Sequence, residues 1–353
     1  MDIYVSGSSF RQDPKLVEGY ESLIWTEKFQ DVGNFEMVIP ETPYFTKLLS
    51  GKYLTSSTTS RVMMVETVGV PKQVQGRSLM KVTGRSIENI LQYRSAKHNQ
   101  TQQSTTKESF TGTVAEIAKY MVQKYAVDAA TAGGANVIPG LTAANDVGTG
   151  TVLTLELDRK DILGMVRDLC QAADLGFRMV RMPNGNLRFS IYQGEDKSVK
   201  TSPNYTRYSA DNDSLIDTSY IESVANFKNN VRMLGKNTYV DVFAKGYDAN
   251  TSGFDRRTFV VEADDVDTGN IAQDQDILRQ MGLRELADVA NRYTKLVDGE
   301  VPPRAVEKFK PQLGDIVDLM DKYGNPTRSL ITELIWSTDA EGSGYSPTFQ
   351  ALL

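Results

Sequence analysis

The strongest constraint on this chain is a change of hydrophobic period along its length. Residues 22–40 hold two short apolar runs, Leu23-Ile24-Trp25 and Phe35-Glu36-Met37-Val38-Ile39, on either side of Asp31-Val32-Gly33-Asn34. Phe35, Met37 and Ile39 alternate with Glu36 and Val38, the period of two that half-buries a strand. Gly33 and Asn34 supply the positive φ that a tight hairpin needs. Further strand-like runs follow at 61–70, closed by Pro71, and at 77–84. Ser86 opens a short helix with Ile87, Ile90, Leu91 and Arg94 on one side. Several strands at short spacing, punctuated by turns, predict a small barrel or sandwich.

Beyond a polar linker at 97–109 the period becomes helical. Thr113 and Glu116 form a capping box, and Val114, Ile117, Ala118, Met121, Val122 and Tyr125 share one face. The small-residue stretch 126–150 has no clear period and reads as loops. A second helix begins at Asp161, with Ile162, Val166, Leu169, Cys170 and Ala173 on one face and Gly176 as its stop. Residues 177–182 and 187–192 then form a hairpin over Pro183-Asn184-Gly185-Asn186. Helix, helix and hairpin make a compact α/β unit of roughly ninety residues. Strands return at 220–263. A helix is predicted at 279–297 from Leu283, Leu286, Ala287, Ala290 and Tyr293, and closing strands at 315–320 and 329–336. Leu-Ile-Trp occurs at 23–25 and again at 334–336, a repeat consistent with two related barrels.

Composition removes whole classes of function. At 353 residues, two or three compact units are expected. The net charge of −6, from 39 basic and 45 acidic residues, argues against a DNA-wrapping protein. One cysteine, Cys170, excludes an intramolecular disulfide and any Cys₂ zinc site, and one histidine, His98, excludes every two-His metal motif within one chain. The first ten residues lack the basic start and apolar core of a signal peptide, and no apolar run is long enough to span a membrane.

Candidate chemistry is sparse. Asp248-Ala-Asn250-Thr-Ser252-Gly253 follows the opening of an EF-hand loop, but the twelfth position, which must deliver a bidentate carboxylate, is Phe259. An ordinary turn is expected. Asp211, Asp213 and Asp217, and Asp264, Asp265 and Asp267, fit no standard cation loop and read as solvated. His98 lies in a polar stretch without a nucleophile elbow. Cys170 sits on an apolar helix face and reads as packing. Neither dinucleotide nor phosphate-loop glycine motifs are present. Arg256-Arg257 is too short for nucleic-acid recognition, and Trp25 and Trp336 lie in apolar strands as core residues. No catalytic, cofactor-binding or metal-binding residue is expected, and no cofactor.

Ser22-Leu-Ile-Trp-Thr-Glu-Lys-Phe-Gln-Asp-Val-Gly-Asn-Phe-Glu-Met-Val-Ile-Pro40, Val82-Thr-Gly-Arg-Ser-Ile-Glu-Asn-Ile-Leu91 with Arg94, Leu187-Arg-Phe-Ser-Ile-Tyr-Gln-Gly-Glu-Asp-Lys197, the return strand 226–235 and Leu313-Gly-Asp-Ile-Val317 occur in a telling order. In that order the chain resembles the tail hub proteins of long-tailed, non-contractile bacteriophages. That family is similar in fold to the baseplate hubs of contractile phages and to the N-terminal part of tail-associated lysins. The resemblance implies an α+β fold of two β-barrel domains with an inserted α/β domain. Residues 1–108 would form the first barrel, completed by 200–225; 109–199 the insertion; and 226–353 the second barrel with a helix near 277–297. It also implies a homotrimer whose barrels make a six-fold-like ring at the virion tail tip, assembled in the host cytoplasm. That ring would join the hexameric tail tube or distal tail protein to a central fibre or spike, meet the tape measure protein, and pass DNA without specific binding. Relatives often carry a lytic C-terminal extension; this chain stops at Leu353, just past the expected last barrel strand, so no such activity is expected. Two other readings stay open: a carboxylate-based cell-wall hydrolase, although nothing selects two of the 45 acids, and a host-carbohydrate-binding module using Tyr205 and Tyr208.

Overall fold

A computed structural model describes residues 1–7, 10, 15–70, 78–95, 108–132, 134–144, 152–157, 161–223, 225, 227–244, 246–290, 294–321, 323–340 and 342–352. The architecture is mixed α+β and dominated by strands. By its contacts the chain divides into two compact units. The first comprises Met1–Ile216, Glu300–Leu319 and Arg328–Leu352, the second Asp217–Gly299 with Met320–Thr327.

The first unit is built on an eleven-stranded sheet curled into a half-barrel. Its order runs Arg207–Ser209, Ile316–Met320, Pro326–Asp339, Ser22–Lys28, Asn34–Pro40, Leu79–Ser86, Val62–Gly69, Tyr53–Ser56, Ile3–Ser6 and Lys15–Leu16, with Gly342–Ala351 also on Pro326–Asp339. The hairpin expected at 22–40 forms, with Trp25 opposite Phe35, but neither Gly33 nor Asn34 takes the positive φ expected of them: Gly33 is needed for close approach, since a Cβ there would lie 2.3 Å from the Thr26 carbonyl oxygen. Leu23, Trp25, Phe35, Met37, Ile39, Met63, Met80 and Val82 point to one side and make a core, as the period-two pattern requires. Register shifts at Val65/Thr67 and at Ile331/Glu333 mark bulges, which bend strands and increase their twist.

The two Leu-Ile-Trp tripeptides lie on neighbouring antiparallel strands, with Trp336 directly opposite Trp25. They meet side by side in one sheet. The ladder is continuous there: the Phe29 amide donates to the Thr332 carbonyl (2.9 Å), and the Ile331 amide to the Asp315 carbonyl (2.9 Å). The closing strands near 315–336, read from sequence as part of a second barrel with 226–263, are thus hydrogen-bonded into the sheet of the N-terminal hairpin. Period-two runs define faces but not partners, so this non-local pairing leaves no local trace.

Helices Val114–Val122 and Ile162–Ala172 pack with the antiparallel strands Gly176–Arg181 and Leu187–Tyr192. The capping box is present: the Glu116 amide donates to Thr113 Oγ1 and the Thr113 amide to Glu116 Oε2 (2.8 Å). Asp161 caps the second helix through the Gly164 amide (2.7 Å). Its end differs from expectation. Asp174 takes the left-handed conformation (φ 53°), and Gly176 already belongs to the following strand. The core of this block includes Val32, Val62, Ile87 and Leu91 from the sheet and its loops. The linker stretch read at 97–109 lies outside the described residues up to 107.

In the second unit, strands Tyr239–Phe243, Asn230–Gly235 and Thr258–Ala263 form a sheet in that order, and Ile216–Ser223 pairs with Thr294–Glu300. The helix predicted at 279–297 spans Ile271–Ala290 instead, and 294–300 is strand. Asn270 Oδ1 accepts from the Ala272 amide (3.0 Å), and the Asp274 carboxylate reaches back to the Thr268 amide (2.8 Å), which fixes the earlier start. Leu278 and Leu286 are buried against Val231, Met233, Val240 and Val242, whereas Leu283 faces solvent. Among the described residues, no helix is long and apolar enough to cross a membrane.

Candidate functional site

Glu27, Arg61 and Glu88 form a cluster of buried ionisable groups. Leu23, Trp25 and Glu27 share the inward face of one strand, so the period that buries the tryptophan also buries a carboxylate. Arg61 enters where its backbone bridges Val180 of the α/β block, next to a hydrogen bond from the Arg181 amide to the Ser60 carbonyl (2.8 Å). Its guanidinium is bonded to Glu88 Oε1 and lies 3.7 Å from Glu27 Oε2. Glu88 Oε1 also accepts from the Met179 amide (2.7 Å), while Glu27 Oε1 accepts from Thr59 Oγ1 (2.5 Å) and Trp25 Nε1 (3.3 Å).

Two carboxylates share one guanidinium with exposures of only 7%, 1% and 5% for Glu27, Glu88 and Arg61. Burial pushes the Glu27 carboxyl above its ordinary range, against the pull of Arg61, Thr59 and Trp25. Burial works to lower the Arg61 guanidinium pKa, but Glu88, Tyr192 and Glu27 together hold it above normal. Such a pair cannot serve as the acid and base of a hydrolase, since substrate has no access and each carboxylate is already engaged. The cluster is an internal staple between the sheet and the α/β block. Sequence reasoning passed over it, although an acidic residue in phase with Leu23 and Trp25 is a readable signal.

The residues singled out from sequence fall in separate places. Asp248 folds onto its own loop, accepting from the Asn250 amide (2.8 Å), and a 3₁₀ turn at Gly253–Asp255 leads to a strand that contains Phe259. Asp213 pairs with Arg304 (3.1 Å), Asp267 with Lys236 (2.8 Å), and Asp211, Asp264 and Asp265 are exposed. Among the described residues, no group of three or more His, Cys, Asp or Glu is placed to hold a metal. The Asp217 side chain and His98 lie outside what is described. Cys170 is fully buried, and burial pushes its thiol up to about 12, so it packs and does not react. Tyr205 is half exposed with the Arg207 guanidinium over its ring, but Tyr208 is enclosed by Phe309 and Phe349, so the two make no sugar platform. Trp25 is core, with Trp336 packed against it. Arg256 reaches Asp241 (3.1 Å) beside the bidentate Arg232–Asp241 pair.

Comparisons with known proteins place this geometry. A family model described as Siphovirus ReqiPepy6 Gp37-like protein matches residues 9–349. No curated protein matches the chain. Three solved structures share its fold at a TM-score of 0.56. The 43 kDa tail protein of prophage MuSo2 from Shewanella oneidensis is 10% identical, over 99% of this chain and 97% of that one. The tail protein from Neisseria meningitidis MC58 is 15% identical, over 99% and 96%. Prophage tail protein gp18 from Listeria monocytogenes EGD-e is 12% identical, over 98% and 94%. At these identities the solved structures speak for the fold, while the family model covers nearly the whole sequence, and the chain belongs to the Siphovirus ReqiPepy6 Gp37-like family.

Proposed function

We propose that this chain is the tail-tip hub of its virion: a structural, non-enzymatic protein that forms a trimeric ring between the hexameric tail tube or distal tail protein and a central fibre or spike. The observation that carries the reading is the eleven-stranded sheet. One half descends from the N-terminal hairpin and its neighbours, the other from Arg207–Ser209, Ile316–Met320, Pro326–Asp339 and Gly342–Ala351, and the two meet at the Trp25–Trp336 pairing. In this reading each half is a barrel-like wall segment and residues 109–199 are an insertion between them. Three subunits with two segments each supply six, the number needed to match a six-fold tube. Ionic residues are engaged with one another in the way a scaffold uses them: Arg61 with Glu27 and Glu88, Lys197 with Asp315 (2.6 Å), Arg328 with Asp196 (2.5 Å). DNA and the tape measure protein would occupy the ring's channel, and assembly would take place in the host cytoplasm.

Light scattering with particle imaging of the purified chain tests this. A trimer of 39.2 kDa subunits should weigh about 118 kDa and show three-fold particles with a central opening. A monomer at high concentration, or a closed particle without an opening, overturns it.

A further inference from the structure

Charge taken out of water is tolerated when it is both paired and hydrogen-bonded. The Glu27–Arg61–Glu88 cluster falls short on each count. Two buried carboxyl groups share one guanidinium, so with both ionised the interior would hold one excess negative charge. Glu88 Oε1 is fully used, by the Arg61 guanidinium and the Met179 amide, but Oε2 is buried with no hydrogen-bond partner among the described residues. The other titratable groups around Glu27 do not supply the missing charge. Arg178 is turned to the Tyr192 ring (4.5 Å) and to Ser190 Oγ (3.2 Å). Tyr192 and Tyr345 are neutral phenols: burial pushes the first up to about 12 and also raises the second.

A proton removes the excess, and Glu27 has a place for it. Thr59 Oγ1 lies 2.5 Å from Glu27 Oε1 and already accepts from the Arg61 amide (3.2 Å); its second lone pair can take a hydrogen bond from a protonated Glu27. The same residues carry the joint between the sheet and strand Gly176–Arg181 of the α/β block. Arg61 bridges Val180, the Ser60 carbonyl accepts from the Arg181 amide (2.8 Å), and Glu88 accepts from the Met179 amide (2.7 Å). The protonation of the cluster and the closure of this joint are therefore coupled through shared groups.

We infer that Glu27 and Glu88 hold one proton between them at neutral pH, and that this proton locks the joint between the sheet and the α/β block. The inference goes beyond the hub reading and is independent of oligomeric state. The proton belongs to the pair, with Glu27 as the group that gives it up. Any opening that brings Glu27 into water releases it once the pH exceeds the ordinary carboxyl value of 4.5. From there opening is favoured about tenfold more for each pH unit, until the closed joint itself loses the proton. The sign follows from burial, which raises the Glu27 carboxyl in the closed state. The joint is tight in acid and loosens as pH rises.

Hydrogen exchange by mass spectrometry on the full-length chain tests this between about pH 5 and 8, after correction for the intrinsic pH dependence of exchange. Peptides covering 59–64 and 176–181 should lose protection about tenfold per pH unit up to at least about pH 7, while 230–235 in the second unit should stay level. Glu27→Gln, which keeps the neutral form, should abolish the slope. Glu88→Gln leaves Arg61 to a single carboxylate and should end the slope at a lower pH. Infrared difference spectra of wild type against Glu27→Gln at neutral pH should show the carbonyl stretch of a protonated carboxyl. A missing band, or a slope that ends below neutral pH, overturns the retained proton. An end point unmoved by Glu88→Gln overturns the sharing between the two carboxyls. A slope common to every peptide of the first unit overturns the lock, because the linkage is then to global unfolding. A slope that persists in Glu27→Gln overturns the whole inference.

Discussion

Single residues hold this sheet together at close quarters, and Phe29 is the clearest case. Its carbonyl accepts from the Phe177 amide (3.1 Å), its amide donates to Thr332, and its ring meets Tyr192 edge-on at 5.3 Å. Two glycines make room for that ring. A Cβ on Gly176 would lie 2.2 Å from Phe29 Cε2, and one on Gly314, where φ is 88°, would lie 2.4 Å away. Gly176→Ala and Gly314→Ala should each lower stability by about 1–3 kcal/mol in thermal melts, and Phe29→Leu should recover part of the loss in the Gly176→Ala background. An unchanged melting temperature in both single variants would refute this packing. The stop expected at Gly176 was misassigned for the same reason: a glycine after a helix is usually conformational, and only the fold shows that this one is steric. The ionic centre gives a second prediction. Burial raises the Glu27 carboxyl above its ordinary 4.5, so the folded state holds that proton more tightly than the unfolded chain. The associated stability is fully present below the unfolded pKa and is lost as pH rises through the folded one. At Asp196 burial acts upward, but bonds from Ser198, Thr201 and Arg328 prevail and hold the carboxyl well below 3.8. Its contribution is present above that ordinary pKa and lost as pH falls through the folded value. In denaturant titrations across pH, Glu27→Gln should flatten the decline that sets in above the ordinary carboxyl value of 4.5, and Asp196→Asn should destabilise at neutral pH with a deficit that shrinks toward acid.

At the scale of elements, the helix Ile271–Ala290 separates what a sequence shows from what it conceals. Its apolar residues alone admit more than one face, and Leu283 looks like core. The sheet beneath decides otherwise. Gly282 lies so close to the strands that a Cβ would sit 2.8 Å from Val242 Cγ2 and 2.9 Å from Met233 Cγ, which turns Leu278 and Leu286 inward and Leu283 out. Leu278→Ala should cost about 2–5 kcal/mol, whereas Leu283→Ala should change stability by less than about 0.5 kcal/mol, as read by chemical denaturation. Equal losses would mean that the helix is rotated. The elements that were legible are those whose signals are local: the Thr113–Glu116 capping box, the Asp161 cap, the hairpins at 22–40 and 176–192. The hidden ones depend on partners far away in sequence. Nothing in Leu334-Ile-Trp336 announces that its strand pairs with Leu23-Ile-Trp25, because period-two alternation is satisfied equally well by any neighbour.

For the whole molecule, the hub reading makes a demand on charge that can be measured. A conduit for DNA must leave the polyanion free to move, and affinity for a duplex comes mainly from basic groups that displace its counterions. The chain carries six more acidic than basic residues. Several of its guanidinium and ammonium groups are also committed to carboxylates: Arg85 to Glu66, Lys81 to Glu36, Arg232 to Asp241, Lys236 to Asp267. Each pair lowers the positive potential that a passing phosphate would meet, and exposed pairs of this kind add little to stability, so their effect is chiefly on the field. Fluorescence anisotropy with a labelled random-sequence duplex at physiological salt should therefore show a dissociation constant weaker than about 10⁻⁴ M, at the weak edge of non-specific binding. Tight binding that fell steeply with added salt would mean that a basic surface is presented to the duplex, and a channel lined by it would hold DNA instead of releasing it. Neutralising the acidic partners probes the same balance from the other side. Glu36→Gln with Glu66→Gln frees Lys81 and Arg85, and affinity should rise only if that sheet face is open to the duplex.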